Sequence, residues 1–230
     1  AAVCAQQRPN LTVVNLAGLK SGPMADMQRI NAELVADLAQ VTAGLNAGLV
    51  HLGSAAEYGL QPDVEWISGE TAYQPSSDYG RTKHAGTNAA LLNPRAVVLR
   101  PINIAARPPQ PGSPLEDVLG RIRRGAPPDH QVELLSPNTR RDFVSLDFVV
   151  ASIEWAARNS AHGVFNIASG KAIRFKDLAH EVLALLGSDS PVVDLGQFPA
   201  TTVSADPEPW RNESGLSECL DAKALAALVA

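Results

Sequence analysis

The sequence predicts an α/β fold, a parallel sheet covered by helices, and three observations lead there. Short apolar runs of strand length alternate with longer stretches of helical period, the order that crossovers between parallel strands require. Hydrophobic residues make up 45% of the chain but aromatics only 5%, so the core must be built from Ala, Val, Leu and Ile, the palette of strands buried on both faces. A chain of 230 residues can bury such a core without disulfides, as one large domain or two small ones.

Taken in order, LTVVNLAG (11–18) reads as a buried strand. Ala25 to Asn46 follows as a helix with Ile30, Leu34, Leu38 and Val41 on one stripe. GLVHLG (48–53) is a second buried strand, and a loop rich in Pro, Ser and Asp leads to a helix from Asp78 to Leu92. AVVLR (96–100) makes a third strand of the same kind. The second half is less regular. RPPQPG (107–112) is a Pro-rich loop, Leu115 to Arg124 a helix, and QVELL (131–135) and RDFVSL (141–146) short strands. A helix from Phe148 to Ala157, a strand GVFNIA (163–168) and a helix from Phe175 to Leu186 come next. From Pro191 the pattern weakens; Thr201 to Ser217 is polar and irregular before a last helix from Asp221 to Val229. There is no internal repeat and no low-complexity tract.

Composition excludes several classes. The net charge of −5 argues against nucleic acid or an anionic membrane as partner. The small arginine groups, Arg121, Arg123 and Arg124, then Arg140 and Arg141, are enough for one anionic ligand and too few for a polybasic surface. Two cysteines, Cys4 and Cys219, and five scattered histidines give neither a disulfide framework nor a metal-ligand spacing. AAVCAQQRPN lacks the pattern of a signal peptide, and no apolar run reaches the roughly 18 residues of a membrane span, so a soluble cytoplasmic protein is expected. His180 and Glu181 start an HExxH that Ala184 breaks, and no GxSxG or GxxxxGK(S/T) occurs. Trp66, Trp155 and Trp210 read as isolated packing residues, His51 as a core histidine, and His84 as facing away from any site.

The chemistry concentrates in SSDYGRTKHAG, where Tyr79 and Lys83 stand four residues apart on one helix face. A phenol is a poor acid or base at neutral pH, but an ammonium nearby favours the phenolate, and the pair can then exchange a proton with a hydroxyl or carbonyl. Alone, YxxxK is a weak signal. It gains weight from Ser54, at the C-terminal end of the strand in VHLGSAAEYG, where ligands bind in open α/β sheets.

With Ser54, Tyr79 and Lys83 together, the sequence resembles an extended short-chain dehydrogenase/reductase of the NAD-dependent epimerase/dehydratase group that works on nucleotide sugars. VVNLAG resembles the family's (H/N)xAG strand end, which implies that Leu16, Ala17 and Gly18 lie against the cofactor. Asn31 in QRINAEL matches the asparagine that props the active-site helices, and HLGSAAEYG and DYGRTK match the serine strand and catalytic helix. VVLRPINI implies Arg100 and Pro101 on the nicotinamide side and Asn103 facing substrate. RRDFVSLDFVVASIEWA resembles the RDFxxVxD block, whose arginine, here Arg141, meets the substrate diphosphate; GVFNIASG resembles xYNxGSG. A late DPEPWRNES places Arg211 where the 4-keto-6-deoxy-sugar reductases use an arginine to hold the nucleotide.

The resemblance implies a Rossmann-like parallel sheet with a small C-terminal α/β substrate-binding part. Residues 1–112 would be the remainder of the cofactor domain and 113–230 mainly substrate-binding, with about 141–168 returning to the Rossmann sheet. The family's GxxGxxG turn is missing among the 17 glycines, and the first strand corresponds to the family's fourth, AAVCAQQRPN reading as the tail of the preceding helix. Either the chain is a piece of a longer protein or it is a shortened relative; the piece is expected, since deletion would expose a strand edge and a sheet face. Ala55 and Ala56 stand where the 4,6-dehydratases carry their acid/base pair, so dehydration is not expected. Glu57, one residue on, should point elsewhere, as a loop-stabilising carboxylate. Ala106 and Arg107 replace the family's GP, so Arg107 is either a phosphate contact or a solvated loop arginine.

The expected activity is NAD- or NADP-dependent reduction or epimerisation of a keto group on a nucleotide-activated sugar. Tyr79 would supply the proton, Lys83 would lower the tyrosine pKa and hold the nicotinamide ribose, and Ser54 would orient the carbonyl. The alternative is a non-catalytic binding or regulatory protein of the same fold. The family's dimers pack the helices matched here by 25–46 and 78–92 into a four-helix interface, which implies a homodimer.

Overall fold

The computed structural model describes residues 11–59, 64–127 and 130–230. Cys4 and the opening segment expected to end a helix lie outside them. Strand β1 is Thr12–Asn15; helix α1 (Met24–Gln28) passes through a π-turn, Arg29–Glu33, into α2 (Leu34–Gly44). Then come β2 (Gly48–Leu52), a 3-10 turn (Ala55–Glu57), β3 (Trp66–Ile67), α3 (Asp78–Ala90) and β4 (Ala96–Pro101). Next are β5 (Ile104–Ala105), α4 (Pro114–Gly125), β6 (Val132–Leu134), β7 (Arg140–Asp142), β8 (Val144–Ser145) and α5 (Leu146–Asn159). The chain continues with β9 (Gly163–Ile167), β10 (Ala172–Arg174), α6 (Phe175–Leu185), β11 (Val192–Asp194), β12 (Thr202–Ala205), α7 (Glu208–Ser214) and α8 (Ala222–Val229).

Four strands form the parallel sheet in the order β1, β2, β4, β9, with Val50 opposite Val14 on one side and Val97 on the other. Alternation along the strands sends side chains to two faces. Leu49 and Val98 meet Val35, Ala39 and Ala90 of α2 and α3. Val50, Val97 and Leu99 meet Phe148, Val149 and Ala156 of α5, with Trp210 of α7. A separate core gathers Leu119 and Ile122 of α4, Leu178 and Val182 of α6 and Leu225 of α8. A second sheet, β10, β7, β12, β3, mixes directions: β10 is antiparallel to β7, while β12 runs parallel to both β7 and β3.

Polar residues set where helices begin. Ser77, Ser113, Ser145 and Asp221 each accept a hydrogen bond from a backbone N–H of the first turn of α3, α4, α5 and α8. Pro114 occupies the first position of α4, where its missing N–H costs nothing.

Three expectations about elements change. The first strand is not buried throughout: β1 pairs only with β2 among the described residues, and Val14 and Leu16 are exposed. Thr201 to Ser217 is not irregular, because it forms β12 and α7. The tryptophans are not all isolated, since Trp210 meets Trp155 and Phe165 edge-on at ring-centroid distances of 5.4 and 5.3 Å. No helix among the described residues is long and apolar enough to cross a membrane.

Candidate active site

A cleft of about 650 Å³ opens beyond the carboxyl ends of β1, β2 and β4, the position where open parallel sheets bind ligands. Leu16, Ala17 and Gly18 form one wall. Asn15 shapes that wall: its Oδ1 accepts the Ala17 N–H at 3.1 Å, and its Nδ2 lies 3.2 Å from Nδ1 of the buried His51. Burial, then the charges of Lys83 and Arg100, pull the His51 pKa down to about 3, so this histidine is neutral and a core residue.

Ser54, Tyr79 and Lys83 all line the cleft. Ser54 is extended (φ −158°, ψ 143°) and caps the 3-10 turn, its Oγ accepting the Ala56 N–H at 3.2 Å. Its side chain lies near enough to the Tyr79 hydroxyl to favour the ionised phenol. Gly80 permits this approach: a Cβ there would lie 2.4 Å from the Ala56 carbonyl oxygen, so only glycine lets α3 seat against the turn.

Burial raises the Tyr79 pKa, the Ser54 side chain opposes the rise, and the charge of Glu57 adds to it. The phenol is therefore held protonated, which differs from the expectation that Lys83 lowers it. The reason is geometric, since Lys83 donates to the Leu52 carbonyl oxygen at 2.5 Å. Burial in turn lowers the Lys83 pKa to about 8, with Glu57 opposing.

Asn31 sits on the π-turn, fully buried, and ties three elements together. Its amide accepts from Leu19 N and donates to Leu19 O, both at 2.8 Å, and donates to Thr82 Oγ1 of α3 at 2.9 Å. Pro101, Asn103 and Arg141 also line the cleft. Asn103 Nδ2 donates to Asp142 O at 2.8 Å, and Arg141 donates to Thr201 O and Oγ1 at 2.9 and 2.8 Å. No carboxylate among the described residues pairs with the Arg141 guanidinium.

Two expected site residues lie elsewhere. Arg100 does not line the cleft: it is 1% exposed, and its guanidinium meets Glu57 Oε2 at 2.7 and 2.9 Å and Tyr73 Oη at 2.8 Å. Strand alternation puts Arg100 on the face of Val98, beneath α3. Arg211 is also outside the cleft lining; on α7 it is exposed and paired with Glu208, one turn away, while Trp210 anchors the helix. His84 faces away from the cleft, as expected: it stacks on Tyr73 at 4.7 Å and brings Nδ1 within 3.7 Å of Glu57 Oε2.

Two residues were missed as organisers. Glu57 is the loop-stabilising carboxylate expected, but a central one, and the S-x-x-E of a capping box at 54–57 announces it. Asp142 is fully buried and accepts from Ser169 N and Oγ, Gly170 N and Ser204 Oγ at 2.6 to 3.1 Å, which fixes β7 and hence Arg141. Nothing in RDF distinguishes this aspartate from a surface one.

Comparison with known proteins bears on the family and the fold. Residues 1–168 match the model of the NAD dependent epimerase/dehydratase family. A curated relative, dTDP-6-deoxy-L-talose 4-dehydrogenase (NAD(P)(+)) of Kitasatospora kifunensis, is 32% identical over 213 residues, covering 87% of this chain. The chain spans 65% of that relative's length. Among solved structures, the Bordetella bronchiseptica enzyme WbmG in complex with NAD and UDP superposes with a TM-score of 0.77 at 23% identity, over 94% of this chain and 69% of that one. A UDP-glucuronic acid 4-epimerase from Bacillus cereus in complex with NAD gives 0.78 at 16%, over 95% and 72%. At those identities the likeness is one of fold.

Proposed function

Because the chain belongs to the NAD dependent epimerase/dehydratase family, we propose that its cleft interconverts a keto and a hydroxyl group on a nucleotide-activated deoxysugar, using NAD or NADP. The observation that carries this reading is the meeting of Ser54, Tyr79 and Lys83 at one wall of one cleft. The named activity of the 32% identical relative supports the substrate class.

The donor set fits the nicotinamide-ribose half of a dinucleotide. Leu16, Ala17, Gly18 and Lys83 line the same cleft, so a ligand lying along the 16–18 backbone can reach the lysine. Lys83 and Tyr79 would hold the ribose hydroxyls, and Pro101 would flank the ring. Hydride transfer to or from the sugar carbon is the chemistry that NAD or NADP, held there, would supply. In the reducing direction Tyr79 gives its phenolic proton to the carbonyl oxygen, and a phenol whose pKa is raised by burial is in the form required. Ser54 Oγ donates a hydrogen bond to the same oxygen and so fixes where charge develops.

Asn103 and Arg141 would take the substrate, Arg141 through its unpaired guanidinium against the diphosphate. Ala55 and Ala56 line the cleft beside Ser54 and offer no acid or base, which supports interconversion without loss of water. The exposed Val41 and Leu92, at the ends of α2 and α3, fit a homodimer across those helices.

The test is to incubate the full-length protein with dTDP-6-deoxy-L-talose and NAD(+) or NADP(+), following both reduced nicotinamide and the sugar. The proposal expects stoichiometric reduced nicotinamide and a keto-sugar. Sugar conversion without net nicotinamide reduction would mean epimerisation, and binding without conversion of either would leave a non-catalytic protein.

A further inference from the structure

We propose that Glu57 is a positioning residue for Ser54: its buried carboxylate fixes the backbone at the exit of β2 and locks it to α3 and β4. This rests on the assignment of Ser54 and Tyr79 as the reacting pair.

Glu57 is fully buried and turns away from the cleft, so it touches no substrate. Each oxygen is committed. Oε1 accepts the Ser54 N–H at 2.9 Å and the Thr87 hydroxyl of α3 at 3.0 Å. Oε2 accepts Arg100 Nε and Nη2 of β4 at 2.9 and 2.7 Å. The carboxylate packs directly against the strand exit: a Cβ at Gly53 would lie 2.8 Å from Oε1 and 2.9 Å from Arg100 Cγ. Around it, Tyr73 lies 4.5 Å and Tyr58 5.3 Å from the Arg100 guanidinium carbon, and Tyr73 stacks on His84.

Stability alone does not account for such an arrangement. A buried ion pair is commonly matched or exceeded in stability by an apolar pair of similar volume, because desolvation offsets the attraction. What an apolar pair could not do is hold the Ser54 N–H. With that N–H anchored and α3 tied to the same oxygen through Thr87, the direction of the Ser54 side chain is set relative to Tyr79. The charged and titratable groups facing this carboxylate are Arg100 from β4, and His84 and Lys83 from α3. Its field reaches both Tyr79 and Lys83, as their shifts record.

Two measurements test this in the full-length protein. The first is a double-mutant comparison of kcat for dTDP-6-deoxy-L-talose oxidation, combining Ser54→Ala with Glu57→Asp, which keeps the charge and shortens the reach, and with Glu57→Leu plus Arg100→Met, which replaces the pair. Glu57→Asp should lower kcat about tenfold or more with little change in KM, since a displaced hydrogen-bond donor weakens the transition state selectively. Adding Ser54→Ala in the Glu57→Asp background should then cost about tenfold or less, against roughly a hundredfold in the unaltered chain, and in the paired replacement its cost should likewise be reduced. The same full Ser54→Ala cost in every background would overturn the role of Glu57.

The second measurement needs no turnover and no variant to fold. In the ligand-free chain the Ser54 amide should exchange slowly, and a freely exchanging amide would overturn the proposal outright. If Ser54→Ala kept full activity in the unaltered chain, Ser54 would not be a reacting group. The stated role of Glu57 would fall with it, even with the amide protected.

Discussion

Replacing Gly80 with alanine tests the seating of α3 directly. The new Cβ would stand 2.4 Å from the Ala56 carbonyl oxygen and 3.1 Å from Pro75 Cβ. Ordinary contact for carbon and oxygen begins near 3.3 Å, so α3 must withdraw from the 3-10 turn by roughly 1 Å. Overpacking of this kind costs about 1–3 kcal/mol, while exchanging glycine for alanine in a helix returns about 0.5–1. The net loss is about 0–2.5 kcal/mol, a fall in Tm of at most about 10 °C for a chain of this size.

The effect on turnover should be larger. Ser54 caps that turn and Tyr79 stands on α3, so the gap sets their spacing, and a misplacement of about 1 Å costs on the order of 100-fold, or roughly 2.7 kcal/mol of transition-state stabilisation. Thermal unfolding and kcat measured on one preparation separate the two. A Gly80→Ala protein with kcat within about threefold of the parent would show that the approach of helix and turn does not set the reacting geometry.

Other outcomes follow from the same groups. Lys83 has a folded pKa near 8 against 10.5 unfolded, so between those values the unfolded chain holds the extra proton and stability rises with pH. The stability of the parent minus that of Lys83→Met should therefore climb from pH 8 to 10.5, by roughly 3 kcal/mol at full development, and a flat difference would contradict the burial of an ammonium. Arg100→Met alone strands the Glu57 charge and should cost about 3–5 kcal/mol in denaturant unfolding, with much of the loss recovered by adding Glu57→Leu; a single variant as stable as the parent would speak against the ion pair. Arg211→Ala should change KM less than about twofold, whereas Arg141→Ala should raise it tenfold or more, and the reverse order would restore Arg211 to the substrate side.

The parts of this fold that the sequence announces are those with a local cause. Val50, Val97 and their neighbours lie in short, mainly apolar runs, and the four-residue spacing of Tyr79 and Lys83 places both at the cleft whatever the surroundings. Ser54 follows because strand ends carry sites. Arg100 was legible in principle, since strand parity sets it with Ala96 and Val98 on the α3 face, but a motif match says nothing about which face an arginine takes. The exposure of Val14 and Leu16 depends on what packs beside β1, which no local pattern encodes.

The late elements hid for a different reason. β12 is stabilised by β7 and β3, some 60 and 140 residues earlier in the chain, so its own four residues carry little signal. α7 did have punctuation, Pro207 before it and Gly215 in the left-handed conformation after it, but its polar surface masks the single buried anchor, Trp210. The lysine bond to Leu52 O needs three dimensions: spacing brings Lys83 and Tyr79 to one face, and only the neighbouring strand end decides which of them the ammonium serves.

The central claim is that Tyr79 exchanges the proton at the sugar oxygen, and Tyr79→Phe in the full-length protein tests it most directly. The ring and its packing remain while the hydroxyl is lost. The account predicts that kcat for dTDP-6-deoxy-L-talose oxidation falls by about 10²–10⁴ while the affinities for NAD(P)(+) and for dTDP change less than tenfold. Turnover within about threefold of the parent, with binding intact, would contradict it.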